Sequence, residues 1–219
     1  MMELKDLTVV ITTFKSDVKV LSCINSLPRE IKILIIENSN NQKFKEEIEK
    51  TYSQVECILT GENKGYSVAN NIGLQKTKTK YALLLNPDTI VTKDAIKNFF
   101  IAAESKPDFW LLGPENKDNF DTSENNIVEV ENLKGFALFF NLKKFDNTFF
   151  DENYFLYFEE IDLCKKIRNN NGKIYSDSNI IINHEGAGSV KTTLSEELEN
   201  NRNWHWMWST FYFHKKYKG

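Results

Sequence analysis

The tightest constraint on what this chain can fold into is an unbroken apolar run, Tyr81-Ala82-Leu83-Leu84-Leu85, closed by Asn86-Pro87-Asp88. A run with no polar alternation is a strand covered on both faces, of the kind found in the middle of an α/β sheet. Pro87 has no N–H to give to a sheet ladder, so the strand ends before it. Asn86 and Asp88 are thereby left at the strand's carboxyl end, the edge where open α/β sheets bind ligands. Two oxygen-bearing side chains there suit a divalent metal that carries a phosphorylated ligand. The same three residues are also the ordinary material of a strand-to-helix turn.

The rest of the chain surrounds that strand with more of the same. Leu7 to Phe14 is a β-branched apolar run, followed by Ser16 or Asp17 as the cap of a helix carrying Val20, Ile24 and Leu27. Ile31 to Ile36 predicts a second buried strand ending in Glu37-Asn38-Ser39-Asn40, and a polar helix follows over 42–52. Val55 to Leu59 is a third strand, Gly61 to Tyr66 a turn, and Ser67 to Gln75 a helix. Thr92 is placed to cap a helix with Ile96, Phe99, Phe100 and Ala103 on one face. Phe109 to Leu112 is a fifth strand, closed by Gly113-Pro114. Strand and helix thus alternate through residue 114, which predicts a Rossmann-like, mostly parallel central sheet flanked by helices.

Beyond residue 114 the pattern changes. Residues 115–126 are polar, Ile127 to Glu131 alternates, and Phe136 to Phe140 is apolar. An aromatic, acidic cluster runs from Phe149 to Asp162, with a helix over 159–169 and Gly172 past its end. Ile174 to Ser176 and Ile180 to Ile182 read as short strands leading to Asn183-His184-Glu185-Gly186-Ala187-Gly188-Ser189. With 219 residues, no internal repeat and no low-complexity linker, one domain is expected. A net charge of −3 argues against nucleic acid as a partner. Cys23, Cys57 and Cys164 lack metal or redox spacing and read as reduced, buried thiols. The start has no apolar leader and no window reaches membrane-spanning length, so a cytoplasmic protein is expected.

Taken together, VVITTF at the first strand, IIEN at the second, ENKGYSVANNIGL, LLLNPDTIV, FDENYFLYFEEIDLCKKI and NHEGAGS make the chain resemble family 2 glycosyltransferases of the GT-A fold, in particular bacterial rhamnosyltransferase-like members. The pieces occur in the family's order and span residues 8–189. The resemblance implies an inverting transfer of a sugar, rhamnose among the candidates, from a dTDP- or UDP-linked donor to an acceptor hydroxyl in cell-surface polysaccharide synthesis. It implies Mg²⁺ or Mn²⁺ as cofactor, and a saccharide or lipid-linked saccharide as acceptor. It divides the chain into a nucleotide-sugar-binding half (1–114), a small acceptor-side catalytic half (115–190) and a C-terminal helical tail (191–219). The chain departs from the family in four places: Asn86-Pro87-Asp88 stands for Asp-x-Asp, Glu37 for an Asp, Lys15 for an Asn, and Glu159-Glu160 for Glu-Asp.

Carried onto this sequence, the donor site is Thr12, Thr13, Phe14, Glu37, Asn38, Gly65, Asn71, Asn86 and Asp88. Asp88 and Asn86, with His184, are the metal candidates. Glu37 reads equally as an acid in a turn, Asn71 as a surface helix Asn, and His184 as a structural histidine beside a Gly-rich turn. Of the acids Glu159, Glu160 and Asp162, the family's pattern makes Glu160 the general base. At 100° per residue Glu159 and Asp162 share a helix face and Glu160 points elsewhere; the bland reading is acids decorating a helix start. Asp162 and Asp151 are the rival bases. The stretch from Arg202 to Gly219 has no acid and is rich in Trp, Lys and Tyr. It suits a peripheral contact at the inner face of a membrane, or a helix packed on the core through Trp204, Trp208 and Phe211. Two other functions share the pattern: a non-catalytic sugar-nucleotide-binding domain, and a nucleotidyltransferase, which normally wants a Gly-rich basic loop that TTFKSD does not supply.

Overall fold

The computed structural model describes residues 3–115, 126–184 and 195–219, the last helix with its side chains from residue 199. Its strands are β1 (Leu7–Thr13), β2 (Lys32–Glu37), β3 (Val55–Leu59), β4 (Tyr81–Leu85), β5 (Thr89–Val91), β6 (Phe109–Pro114), β7 (Ile127–Glu129), β8 (Ala137–Asn141), β9 (Lys173–Asp177) and β10 (Ile182–His184). The helices are α1 (Asp17–Asn25), α2 (Gln42–Thr51), α3 (Gly65–Lys76), α4 (Ala95–Ser105), α5 (Glu159–Asn169) and α6 (Ser195–Lys218). The central sheet has the order β3-β2-β1-β4-β8-β6-β9-β7, and β5 and β10 form a separate two-stranded ribbon.

β3, β2, β1 and β4 are parallel to one another. The chain moves outward from β1 to β3, then returns to place β4 on the other side of β1, which makes the gap between the ends of β1 and β4 the switch point of the sheet. β8 runs antiparallel to both β4 and β6. Its N-terminal end therefore lies at the same edge as the carboxyl ends of the parallel strands. A loop that precedes a strand, 133–136, is thus delivered to the edge where ligands bind.

Two apolar layers flank the sheet, as the period of two along a strand requires. Val9, Ile11, Ile33, Ile35, Leu83 and Leu85 face α1, α2 and α4, whereas Val10, Leu34, Ile36, Leu84, Leu138 and Phe140 face α3 and α5. On the first face Phe139 is the centre of an aromatic stack, 5.2 Å from Tyr81, 5.0 Å from Phe99 and 5.8 Å from Phe109 between ring centroids. On the second, α3 lies so close to β1 that a Cβ on Gly73 would come within 2.4 Å of Val10. The three cysteines are free and buried, as expected.

Several local expectations are corrected. The cap of α4 is Asp94, two residues after Thr92. The last short strand is Ile182–His184 rather than Ile180–Ile182, because it pairs antiparallel with β5, a strand too short to announce itself in the sequence. The Gly186-Ala187-Gly188-Ser189 turn lies outside the described residues. The Trp204–Trp208–Phe211 stripe of α6 does not pack on the core: these side chains are 55%, 42% and 57% exposed. The helix docks through another stripe, in which His205 stacks on Phe155, Ser209 Oγ donates to the Leu156 carbonyl at 2.8 Å, and Tyr212 packs on Tyr154. Lys216 completes it with ion pairs of 2.7 Å to both Asp151 and Asp162. Among the described residues no helix is long and apolar enough to cross a membrane.

Candidate active site

A cleft of about 840 Å³ opens over the switch point. Thr12 and Phe14 at the end of β1, Asn38 after β2, Asn86 and Asp88 after β4, and Glu159 and Glu160 at the start of α5 all line it.

The wall above the ends of β1 and β2 is held by side-chain hydrogen bonds. Thr12 Oγ1 donates to Asn70 Oδ1 at 2.5 Å, tying the end of β1 to α3. Asn38 Nδ2 donates to Asn63 Oδ1 and to the Gly65 carbonyl, and its Oδ1 accepts from Thr60 Oγ1 and the Lys64 N–H. Asn38 is thereby a rivet between β2 and the turn that starts α3. Gly65 sits there with φ +79, and a Cβ would lie 2.7 Å from both the ring and the carbonyl oxygen of Phe155. Only glycine meets both demands without strain.

The turn after β4 is held from three sides. The Asn86 N–H donates to the Phe136 carbonyl at 2.9 Å, and the Asn86 carbonyl accepts from the Thr89 N–H and hydroxyl. Tyr66 brings its hydroxyl within 3.1 Å of Asn86 Oδ1 and 3.0 Å of the Gly135 carbonyl, so one proton serves two acceptors. Burial raises the Tyr66 pKa well above the ordinary phenol value, so this hydroxyl stays a donor. Beside it the β5–β10 ribbon sets His184 opposite Thr89, which brings His184 Nε2 to 3.3 Å from Asp88 Oδ1. The imidazole lies flat on Phe136, 4.8 Å between centroids at an interplanar angle of 11°.

Glu159 and Glu160 reach the cleft over the end of α5. Tyr157 and Phe158, with φ of 72 and 68, turn the chain sharply into that helix. Both are bulky residues in left-handed backbone, a conformation that costs on the order of 1–3 kcal/mol each. Glu159 is 7% exposed and its Oε2 is buried with no hydrogen-bond partner. Burial, and then the charge of Glu160, raises the Glu159 pKa to about 8. Burial also raises Glu160, which keeps some exposure and is opposed by two backbone N–H groups, its own and that of Ile161, where Glu159 has one. The more buried acid therefore keeps its proton longer, and Glu160 is the member of the pair that ionises first.

Four of the expected site residues are not brought to this cleft. Thr13 lies fully buried beneath it, with its carbonyl accepting the Asn38 N–H. Glu37 turns back into its own loop, where its carboxylate accepts from the Ser39 N–H and hydroxyl and, at 2.6 Å, from the Asn41 N–H. Asn71 clamps the backbone of Phe150 with bonds in both directions and reaches Glu152. Asp162, 1% exposed, is held by Lys216 and the Tyr154 hydroxyl on the far flank of α5. The face argument had paired Glu159 with Asp162. Both are buried, as a shared face implies, but the cleft lies at the end of the helix, where Glu159 and Glu160 reach it and Asp162 does not. Asp151 is likewise outside the cleft. Burial opposes its charge, but the bonds from Lys216 and Asn153 outweigh that and hold its pKa below the usual carboxylate value.

The cleft also contains residues that sequence reasoning did not single out: Asn63, Tyr66, Lys134 to Phe136, Phe155, Tyr157 and Arg202. Lys134 to Phe136 could have been found only from the direction of β8, and Arg202 only from the docking of α6, whose Arg202 Nε donates to the Tyr157 hydroxyl at 2.9 Å.

A mostly parallel sheet with one carboxylate at its switch point, facing a carboxylate pair across a cleft, is the architecture of nucleotide-sugar transferases of the GT-A type. The match to the model of glycosyl transferase family 2 covers residues 8–164, and the chain belongs to that family. It is 21% identical over 197 residues to the low-salt glycan biosynthesis hexosyltransferase Agl10 of Haloferax volcanii, a match that takes in 77% of this chain and 63% of that protein. Its fold superposes on GalNAc-T7 with UDP, GalNAc and Mn²⁺ at a TM-score of 0.68, with 14% identity over 81% of this chain and 42% of the other. It superposes on the mannosyltransferase PcManGT of Pyrobaculum calidifontis with GDP-Man and Mn²⁺ at 0.66, with 12% identity over 84% and 58%. The chain thus spans less than two thirds of the length of these relatives.

Proposed function

We propose that the chain is an inverting hexosyltransferase that moves a sugar from a nucleoside-diphosphate donor to the hydroxyl of a saccharide or lipid-linked saccharide, in the synthesis of a surface glycan. The observation that carries this reading is the joint lining of one cleft by Asp88, with His184 beside it, and by the Glu159–Glu160 pair. The donor base and ribose belong against Thr12, Phe14 and Asn38, a reading supported by the UDP and GDP-Man of the neighbours in fold. Support for a rhamnosyl donor comes only from the Asn-Pro-Asp form of the β4 turn.

Asp88, Asn86 and His184 fit a divalent cation, with the Asp88 carboxylate and the His184 imidazole already converging. No group of three acidic, His or Cys side chains among the described residues would hold a metal alone. That suits Mg²⁺ or Mn²⁺, which use one or two carboxylates and complete their shells with phosphate oxygens and water. When bound, such an ion offsets the charge that develops on the departing diphosphate. His184 as a ligand favours Mn²⁺.

On the other side, Glu160 accepts the proton of the acceptor hydroxyl as its oxygen attacks the anomeric carbon. The bond to the diphosphate breaks on the opposite face, so the configuration inverts. Glu159, held neutral by its burial, does not compete for that proton. The Asn86 N–H and the Tyr66 hydroxyl tie the β4 turn to the backbone of Gly135 and Phe136.

The test is a donor panel read by thermal shift, followed by turnover with a soluble saccharide acceptor in Mn²⁺. Asp88→Ala should lose the donor-dependent shift and turnover and keep its fold. Full activity of that variant, or of wild type in excess chelator, would refute the metal assignment. Donor binding without transfer or hydrolysis would instead make the chain a binding domain.

A further inference from the structure

Helix α6 has one face that the fold uses and one that it does not. His205, Ser209, Tyr212 and Lys216 recur at helical spacing and make the docking contacts, with Ser209 fully buried. Trp204, Met207, Trp208 and Phe211 recur at i, i+3, i+4 and i+7 on another face, and at 100° per residue Met207 lies roughly 200° from Ser209. All four are exposed, Met207 by 59%. Trp204 and Trp208 stack on each other at 6.2 Å and Trp208 leans on Phe211 at 6.0 Å, so much of their contact is with one another. Roughly half of each side chain is bare, which at roughly 150–250 Å² per aromatic makes a patch on the order of 400 Å². Soluble monomers rarely carry a contiguous apolar patch of that size without a use for it.

The charge around the patch selects the occupant. Between Asn200 and Gly219 there is no Asp or Glu. Lys215 and Lys218 are exposed on the outer side, one turn beyond Phe211, while Lys216 is turned inward to Asp151 and Asp162. Indole rings beside lysines, with no acid, match the headgroup region of an anionic bilayer: the rings settle at the polar–apolar boundary and the ammonium groups meet phosphate. A second copy of the chain fits less well, because a two-fold contact would set Lys215 and Lys218 of both helices against each other.

We propose that the outer face of α6 is a membrane-binding surface for bilayers containing anionic phospholipid. Trp204, Met207, Trp208 and Phe211 enter the interface, and Lys215 and Lys218 contact the headgroups. The same helix supplies Arg202 to the cleft, so docking holds the cleft mouth beside the bilayer surface. The surface stands on the geometry of α6; only its use, the meeting with a lipid-linked acceptor, rests on the proposed transfer.

Co-sedimentation with vesicles of phosphatidylcholine, with and without phosphatidylglycerol, tests it, together with the tryptophan emission of the bound protein. Wild type should bind the anionic vesicles with a blue-shifted emission, and rising salt should weaken the binding. The triple variant Trp204→Ser, Trp208→Ser, Phe211→Ser should bind at least about tenfold more weakly. Lys215→Glu with Lys218→Glu, which touches no packed residue, should lose on the order of tenfold on anionic vesicles. Failure of wild type to bind either vesicle overturns the proposal, as does equal binding by both variants. A concentration-dependent dimer in sedimentation equilibrium, dispersed by the triple substitution, gives the face to a second copy and overturns it too. Donor-dependent thermal shift is read on the same proteins: its loss in all of them would count against the transfer reading while the vesicle result stood.

Discussion

Replacing Glu159 by Gln should make the protein more stable at neutral pH and leave it nearly unchanged in mild acid. Its carboxyl group is buried with one oxygen unpartnered, and burial followed by the Glu160 charge lifts its pKa from 4.5 to about 8. The sign follows from linkage. Below about pH 4.5 the group is protonated in both the folded and the unfolded chain, and it costs the fold nothing. Between about pH 4.5 and pH 8 the unfolded chain ionises and the folded one does not, so stability falls by about 1.4 kcal/mol per unit. From about pH 5 to about pH 7.5 the loss amounts to on the order of 3 kcal/mol. Gln keeps the shape and has no proton to lose, so the gap between variant and wild type should open by that amount across the same interval. Urea unfolding of the donor-free, metal-free protein at the two pH values measures it. If the two proteins lose stability in parallel, to within about 0.5 kcal/mol, Glu159 does not carry the proton, and the division of labour with Glu160 falls with it.

Glu160→Gln should cut turnover by about 10²–10⁴, the usual contribution of a general base, and leave the donor-dependent thermal shift in place. Asp162→Asn should not imitate it, so a dead Asp162→Asn beside an active Glu160→Gln would move the base. Lys216→Met strands Asp162 in the interior without its cation and should cost roughly 3 kcal/mol of unfolding free energy; a loss under about 1 kcal/mol, the value of an exposed pair, would mean the pair is solvated. Gly65→Ala places a Cβ against the Phe155 ring and carbonyl in a left-handed backbone, so it should destabilise by about 2 kcal/mol or more and weaken donor affinity. A neutral result would show that the Phe155 contact is not tight.

The parallel half of the sheet was legible because its strands are mostly apolar and are punctuated by Gly, Pro and Asn. The β5–β10 ribbon was not, since three-residue strands leave no periodic trace and their pairing is long-range. The same gap explains His184: its presence was readable, but its place beside Asp88 depends on that ribbon. Family pattern found Asp88 and the Glu159–Glu160 pair, yet it could not separate groups that line the cleft from groups that brace it. Glu37 and Asn71 are braces, and their bonds run to backbone groups that only the folded chain brings near. For α6 the apolar stripe misled, because the helix is held by an ion pair, a serine and stacked rings rather than by its most hydrophobic face.

The left-handed pair Tyr157–Phe158 makes the first turn of α5 dependent on a distant part of the fold. Phe158 packs on Phe213, and Tyr157 accepts from Arg202 Nε, so both strained residues are braced by α6. A chain lacking α6 would still carry every described strand of the sheet. It would lack the braces that hold the first turn of α5 in place, and the acids of that turn would be free to relax away. The setting of Glu159 and Glu160 therefore depends on a helix that adds no strand to the sheet.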